Sequence, residues 1–494
     1  MIQIIDKITD PKARANAIKR FREKQIILPT FAQQRNPELV PDKIKNKLKN
    51  IGLWDFHPLN LFRITWKNEP KEKGGLFGKV NYLELPKAIT GIDARIVMLV
   101  GKWFPTGAHK VGAAYGCLAP QIITGGYDPT YHKAVWPSTG NYCRGGAFDS
   151  KLMGSDSVAI LPEEMSQERF TWLRDEVGCE VIATPGCESN VKEIYDACWE
   201  IRRTRPDCII FNQFEEFGNA AWHYNTTGSA LEEAYRIVQT PKSNIAAYVS
   251  ATGSAGTISG GDYLRNIAPH VKVVASEALQ CPTLLMNGFG GHRIEGIGDK
   301  HVPWVHNVKN TDLVAAIDDE DCMRIFRLFN EKAGHEYLKT MGLDEDTISS
   351  LSLLGISCIA NMLSAIKTAK YYEMTSDDVI LTIATDSAEL YHSRLEELNE
   401  NRGKYTELQA VKDFEKCILG TGTDHLKELT YNDRKAIHNL KYFTWIEQQQ
   451  KELEDLNQMW YDREIWPKLF NQTGRWDEMI NEFNEETGVL KNLG

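Results

Sequence analysis

The sequence predicts an α/β fold built on a parallel sheet covered on both faces by helices. Three observations carry this. From about Phe56 to Tyr391, short β-rich runs alternate with helical stretches, the rhythm of β–α–β crossovers. Several of the apolar runs empty directly into loops rich in Gly, Ser and Thr that open the next helix. The chain of 494 residues exceeds one ordinary core, so two or three packed units are expected.

The elements follow in order. Residues 1–55 are charged, with prolines and short helical stretches, and read as an N-terminal arm. A strand at 96–100 is followed, after a loop, by a helix starting near His109. Strands at 133–136, 157–161, 180–183 and 208–211 alternate with helices at 145–153, 167–177, 190–203 and 229–238. A strand at 245–249 leads into a glycine-rich loop, and 271–275 and 379–383 are later strands. After about Arg394 no further strand is predicted. Residues 396–494 read as a helical extension carrying Trp445, Trp460, Trp466 and Trp476, and four tryptophans need a surface to pack on.

Composition excludes several classes. The chain is 42% hydrophobic and 25% charged, with a net charge of −10, which gives no footprint for nucleic acid or for an anionic membrane. The first residues lack an apolar signal region, and no run approaches the roughly 18 apolar residues of a membrane span. The ten cysteines are scattered, with no Cys-x-x-Cys pair, so neither a metal site nor a disulfide framework is expected. They read as core thiols in a reducing cytoplasm.

Four loops could carry chemistry. In Pro105-Thr106-Gly107-Ala108-His109-Lys110, a Pro/Gly turn delivers a helix start, placing Lys110 in the first turn. The positive end of the helix dipole there favours the neutral amine that imine formation requires. Taken alone, such a lysine is a surface residue. Ser138-Thr139-Gly140-Asn141 follows a strand and opens a helix, offering two hydroxyls, an amide and backbone N–H groups to a carboxylate; an N-cap explains it equally well. Gly253-Ser254-Ala255-Gly256-Thr257 also follows a strand, and its small residues let backbone amides close on an anion. It is neither a Walker loop nor Gly-x-Gly-x-x-Gly. Thr385-Asp386-Ser387-Ala388-Glu389 is by itself a capping pattern, with Asp386 or Ser387 as the cap. Ligands of α/β sheets bind at the carboxyl ends of strands, where all four loops fall. A lysine, a carboxylate cradle and a phosphate cradle at one sheet edge suit pyridoxal phosphate and an amino acid.

These residues resemble the fold-type II pyridoxal-phosphate enzymes, the tryptophan synthase β family, and most of all cysteine synthase and cystathionine β-synthase. Pro-Thr-Gly-Ala-His-Lys resembles the Schiff-base motif, Ser-Thr-Gly-Asn at 138–141 the substrate loop, and 253–257 the phosphate loop. Asn212-Gln213-Phe214-Glu215 with Thr226-Thr227-Gly228, and His292-Arg293-Ile294-Glu295-Gly296-Ile297-Gly298, are similar to further family segments in the same order. The resemblance implies two parallel-sheet three-layer subdomains within a catalytic body at 56–395. The smaller one, about 120–225, is inserted in the larger, with pyridoxal 5′-phosphate between them. It implies that Lys110 holds the cofactor and moves the α-proton, and that Asn141 bonds its 3-oxygen. Ser138, Thr139 and Gln213 would hold the substrate carboxylate. Gly253, Ser254, Ala255, Gly256 and Thr257 would bind the phosphate, and Ser387 would meet the ring nitrogen, where a neutral hydroxyl suits expulsion of a β-substituent.

Three departures stand against a housekeeping cysteine synthase. Tyr142 and Cys143 follow Asn141, where small polar residues are usual; Ser254 and Ala255 replace Thr and Gly, which is tolerable at 255 if φ stays negative; and the extension is long. Cys143 reads as a packing thiol ahead of a catalytic one. The resulting expectation is a cytoplasmic, homodimeric enzyme of amino-acid metabolism that performs β-elimination or β-replacement through an aminoacrylate. A deaminating ammonia-lyase of the threonine or diaminopropionate kind, or a non-catalytic subunit that keeps the cofactor pocket, are the alternatives.

Overall fold

The structure, a computed structural model, describes residues 2, 4–70, 75–138, 140–187, 189–298 and 300–493. Eleven strands lie in it: β1 (Tyr82–Leu85), β2 (Arg95–Val100), β3 (Lys133–Pro137), β4 (Ser157–Pro162), β5 (Glu180–Thr184), β6 (Cys208–Ile210), β7 (Asn244–Ala251), β8 (Lys272–Ala278), β9 (Leu313–Ile317), β10 (Asp378–Ala384) and β11 (Leu426–Glu428). They form two sheets, one of seven strands in the order β1-β2-β10-β7-β8-β9-β11 and one of four in the order β5-β4-β3-β6. The smaller sheet is wholly parallel. The larger one is parallel at its centre, with antiparallel strands at both edges.

The central strands are predominantly apolar, without polar–apolar alternation, because both faces are covered. In β2, Val97 and Leu99 enter one core and Ile96 and Met98 the other; β10 divides Leu381 and Ile383 from Ile380 in the same way. In the smaller sheet, Val135, Val158 and Ile160 pack on Ile194, Cys198 and Ile201 of helix Val191–Thr204, while Trp136 and Leu161 face the main core.

The expectation that strands end near Arg394 is corrected by β11, which pairs antiparallel with β9 at Leu426↔Ala315 and Glu428↔Leu313. Three residues with two charges show no alternation, so pairing on a free sheet edge, not local pattern, makes this strand. The capping reading of 385–389 is corrected as well. Ser387 precedes the short 3₁₀ turn Ala388–Leu390 without a side-chain cap bond, and the Asp386 carboxylate is engaged elsewhere.

The chain ends pack on each other and on the body. Helix Pro11–Glu23, capped by Asp10, sets Phe21 edge-on to Phe483 at 5.2 Å and pairs Arg14 with Glu486 at 2.7 Å. In the C-terminal extension each of the four indole N–H groups reaches an acceptor: Trp445 on Val302 O, Trp460 on Tyr431 Oη, Trp466 on Met459 O and Trp476 on Ile5 O. Buried Lys441 donates to the carbonyls of Trp304 and His306, so the extension clamps the loop that precedes β9. Among the described residues no single helix is long and apolar enough to cross a membrane.

Candidate active site

The carboxyl ends of β2, β3, β6, β7 and β10 meet between the two sheets, and each delivers one wall of a narrow cavity. Its lining includes Lys110, Ser138, Asn141, Tyr142, Gln213 and Ser254. Gly253, Phe214, Gly296 and Thr385 complete it.

Lys110 opens helix Lys110–Thr124 after a tight turn in which Thr106 and Gly107 both take φ of 71°. A β-branched residue in this left-handed region carries strain, and the turn that holds Lys110 absorbs it. The turn is fastened on both sides. The His109 backbone N–H donates to Thr385 O at 3.3 Å after β10, and its Nε2 lies 3.1 Å from Thr257 Oγ1 after β7. Burial, with Lys110 adjacent, pushes the His109 pKa down to about 3, so the ring is neutral. A second buried ring, His223, reaches the same Thr257 hydroxyl at 3.4 Å and is held neutral by burial and by His109. The two histidines stand edge to face at 4.9 Å and buttress the Thr257 end of the loop. His223 escaped the sequence reading because no motif spacing links it to 253–257.

Lys110 Nζ crosses the cavity to Ser254 Oγ at 3.0 Å and Gln213 Oε1 at 3.5 Å. Asn219 ties these two partners together, donating to Ser254 Oγ at 3.1 Å and to Gln213 O at 2.9 Å. Gln213 Nε2 donates in turn to Ser138 Oγ at 3.0 Å, which also accepts the Gly140 N–H at 3.2 Å. Ser138, Gln213, Ser254 and Lys110 therefore form one hydrogen-bonded set. Thr139 lies outside the described residues. Cys143 points away, its thiol donating to Trp136 O at 2.9 Å.

The loop after β7 presents donors with nothing to bond. Among the described residues, the amides of Gly253, Ser254, Ala255 and Thr257 meet no backbone acceptor. Such a nest of free N–H groups fits a phosphate. The expectation of a negative φ at Ala255 is corrected: φ is 58°, so its methyl group sits in the left-handed region that glycine occupies without cost. Asn141, which lines the cavity, also has an unpartnered Oδ1. These observations make the donor set fit pyridoxal phosphate, with a ring displacing the contacts that Lys110 makes across the cavity.

Two buried serines stand close to the cavity lining in sequence or in space. Ser387 is buried and follows Thr385 by two residues, and Thr385 borders the cavity. Ser357, in the first turn of helix Ile356–Tyr371, carries its hydroxyl 3.4 Å from the point where a Gly296 side chain would begin, and Gly296 lines the cavity. Sequence reasoning missed Ser357; the signal available was its place at the start of an apolar helix after Gly355.

A buried polar chain leads away from Asn141. Asn141 Nδ2 donates to Asp386 Oδ2 at 2.6 Å, Tyr391 Oη donates to the same oxygen at 2.6 Å, and Arg169 Nη2 donates to Tyr391 Oη at 3.1 Å. Arg169 pairs with Glu295 at 2.7 Å, both nearly fully buried, and Glu295 also takes Arg394 at 2.7 Å. A side chain on Gly140, whose φ is 146°, would collide with the Arg169 guanidinium, so this arginine supports the 138–141 loop from beneath. The outer end, Glu295 and Arg394, opens on a cleft of about 660 Å³.

Comparison with known proteins agrees with this geometry. Residues 102–336 match the family described as pyridoxal-phosphate dependent enzymes. A probable cysteine synthase of Bacillus subtilis is 27% identical over 301 residues, 61% of this chain and 89% of the relative. Cysteine synthase B of Campylobacter jejuni is 30% identical over 242 residues, 49% of this chain and 71% of the relative. The crystal structure of a hydrogen sulfide-producing enzyme of Fusobacterium nucleatum superposes with a TM-score of 0.55 at 25% identity, covering 69% of this chain and 95% of that one.

Proposed function

The chain belongs to the family of pyridoxal-phosphate-dependent enzymes, and from that premise we propose that it catalyses β-elimination or β-replacement on an amino acid bearing a leaving group at Cβ, with Lys110 as the residue that binds the cofactor. The observation that carries the reading is the convergence on Lys110 Nζ of Ser254, from the anion loop, and Gln213, from the carboxylate cradle. When bound, pyridoxal phosphate withdraws electrons from Cα and so acidifies its proton.

The protein's part is to hold and orient. Gly253–Thr257 takes the phosphate on its free amides, with the neutral His109 and His223 fixing the Thr257 hydroxyl. Ser138 and Gln213, already bonded to each other, turn toward the substrate carboxylate, and Thr139 shares this task. Asn141 addresses the cofactor's 3-oxygen, and Ser387 or Ser357 its ring nitrogen. Lys110, freed by substrate, sits where its neutral amine can take the α-proton and later return it. Tyr142 and Phe214 line the remaining wall and limit the leaving group and any incoming nucleophile. A homodimer in the cytoplasm is the setting we assign to it.

The test is to load the purified protein with pyridoxal phosphate and present a panel of β-substituted amino acids. The expected result is visible absorbance from the lysine-bound cofactor, a spectral change with the right donor, and no lysine-linked band in Lys110→Ala. Pyruvate and ammonia as products identify elimination, and a new amino acid formed only with added nucleophile identifies replacement. Absence of any visible band after loading would refute the reading.

A further inference from the structure

We propose that Asp386 is a positioning residue: its carboxylate fixes the amide of Asn141 in one orientation and holds a negative charge next to the cofactor's 3-oxygen, strengthening the proton of the lysine–cofactor linkage. The inference rests on the roles given above to Lys110 and Asn141.

An asparagine amide can flip and exchange donor for acceptor. Here it is prevented. Nδ2 lies 2.6 Å from Asp386 Oδ2, and a flip would set the amide oxygen against a carboxylate oxygen. The amide has a second N–H, so it still presents a donor to an oxyanion in the cavity. Asn141 is buried and its Oδ1 is unpartnered, so among the described residues Asp386 is the group that holds the amide.

Asp386 is itself fixed. It is fully buried, Tyr391 donates to Oδ2 at 2.6 Å, and Oδ1 faces Gly355 and the Cys358 thiol at 3.7 Å. Those two residues lie at the start of the 16-residue helix Ile356–Tyr371, whose dipole favours a negative charge at this end. The charged and titratable groups packed around it are Tyr391, Arg169, Arg144, Glu295 and Cys358. Burial pushes the Asp386 pKa up, while Tyr391, Arg169 and Asn141 draw it back. Arg144 is buried with Nε and Nη1 unpartnered, stacked on Trp172 at 4.7 Å, so the positive charge around Asp386 is only partly answered by Glu295. An ionised Asp386 completes that balance. Its charge then acts through the Asn141 amide on the proton shared between the 3-oxygen and the lysine nitrogen, and favours keeping that proton.

The test is an absorbance titration of the loaded protein without substrate, on wild type, Asp386→Asn and Asp386→Ser. Removing a charge at this range should lower the proton affinity of the lysine–cofactor linkage by about tenfold or more in both variants, moving the colour change to lower pH while the cofactor stays bound. Asn141→Ala removes the amide through which the charge acts, so adding Asp386→Ser to that variant should shift the titration by much less than Asp386→Ser does alone. An unshifted titration in the loaded variants would overturn the proposal. Should Asp386→Asn fail to fold, the smaller serine decides alone. A wild type with no visible band refutes the cofactor assignment, a failure distinct from an unshifted titration.

Discussion

The buried Arg169–Glu295 pair should be worth more to the protein than any other ion pair around the cleft. The side chains are 1% and 2% exposed and lie 2.7 Å apart. Removing one partner from such a pair costs about 3–5 kcal/mol, because the other charge is left without water. Glu295 keeps Arg394 on its second oxygen at 2.7 Å, so Arg169→Met should fall near the lower limit, about 3 kcal/mol. Glu295→Gln strands the Arg169 guanidinium, which retains Tyr391, and should cost about as much. Arg394 is a quarter exposed and screened by water; Arg394→Met should cost about 1 kcal/mol or less. The double variant Arg169→Met/Glu295→Gln leaves neither member of the pair as an unanswered buried charge and should recover at least about 2 kcal/mol of the summed cost. The assay is equilibrium urea unfolding followed by tryptophan fluorescence, arranged as a double-mutant cycle. Single costs below about 1 kcal/mol, or strict additivity, would refute the reasoning. Because Arg169 props the 138–141 loop, Arg169→Met should also raise KM for the amino acid more than it lowers kcat.

Ala255→Gly should stabilise the protein by about 1 kcal/mol, since glycine accepts the φ of 58° freely, and thermal unfolding checks this. Ser357→Ala and Ser387→Ala separate the two candidates for the ring nitrogen: the serine that faces it should shift the visible band of the loaded protein, and the other should leave it unmoved. Acid should destabilise the fold steeply. The folded-state pKa values of His109, His301, His306 and His438 are each depressed to about 3 by burial, so the unfolded chain binds more protons once pH drops below about 6.5. Stability present above that pH is lost as pH falls toward 3, by about 1.4 kcal/mol per pH unit for each histidine. His306→Gln, which can keep the bond to Thr311, should flatten the slope by one such increment in urea melts across pH 4–6.

Local pattern carried most of the parallel strands because each holds an apolar run that ends in a recognisable loop. β2 and β10 announce themselves in Ile-Val-Met-Leu-Val and Val-Ile-Leu-Thr-Ile. It missed β9, although Leu313–Ile317 is a buried apolar run, and it did not carry β1 or β11. Tyr82–Leu85 and Leu426–Glu428 are half-exposed edge strands whose pairing partner, not their own residues, defines them. It could not carry the φ of Ala255 either, because the group packed against the next residue, Gly256, is Asn219 from a distant part of the sequence.

The same distinction explains what was seen of the site. Lys110, Ser138, Gln213 and Ser254 stand in short motifs at the ends of β2, β3, β6 and β7, and a ligand that must touch all four segments makes those motifs visible together. Asp386, Tyr391, Arg169 and Glu295 have no such common cause. They come from the ends of β10, the helix after β4 and the segment before Gly296, and each is an ordinary polar residue in its own neighbourhood. What joins them is the closure of the two sheets, which removes water from all four at once and leaves each needing the next: Asn141 the carboxylate, the carboxylate the tyrosine, the tyrosine the arginine, and the arginine Glu295. Such a chain is satisfied only when closed, since opening the cleft at any link hydrates a charge that its neighbours were built to hold dry. Asn141 therefore takes its orientation from this chain, and the cavity around Lys110 is organised by contacts that lie outside it.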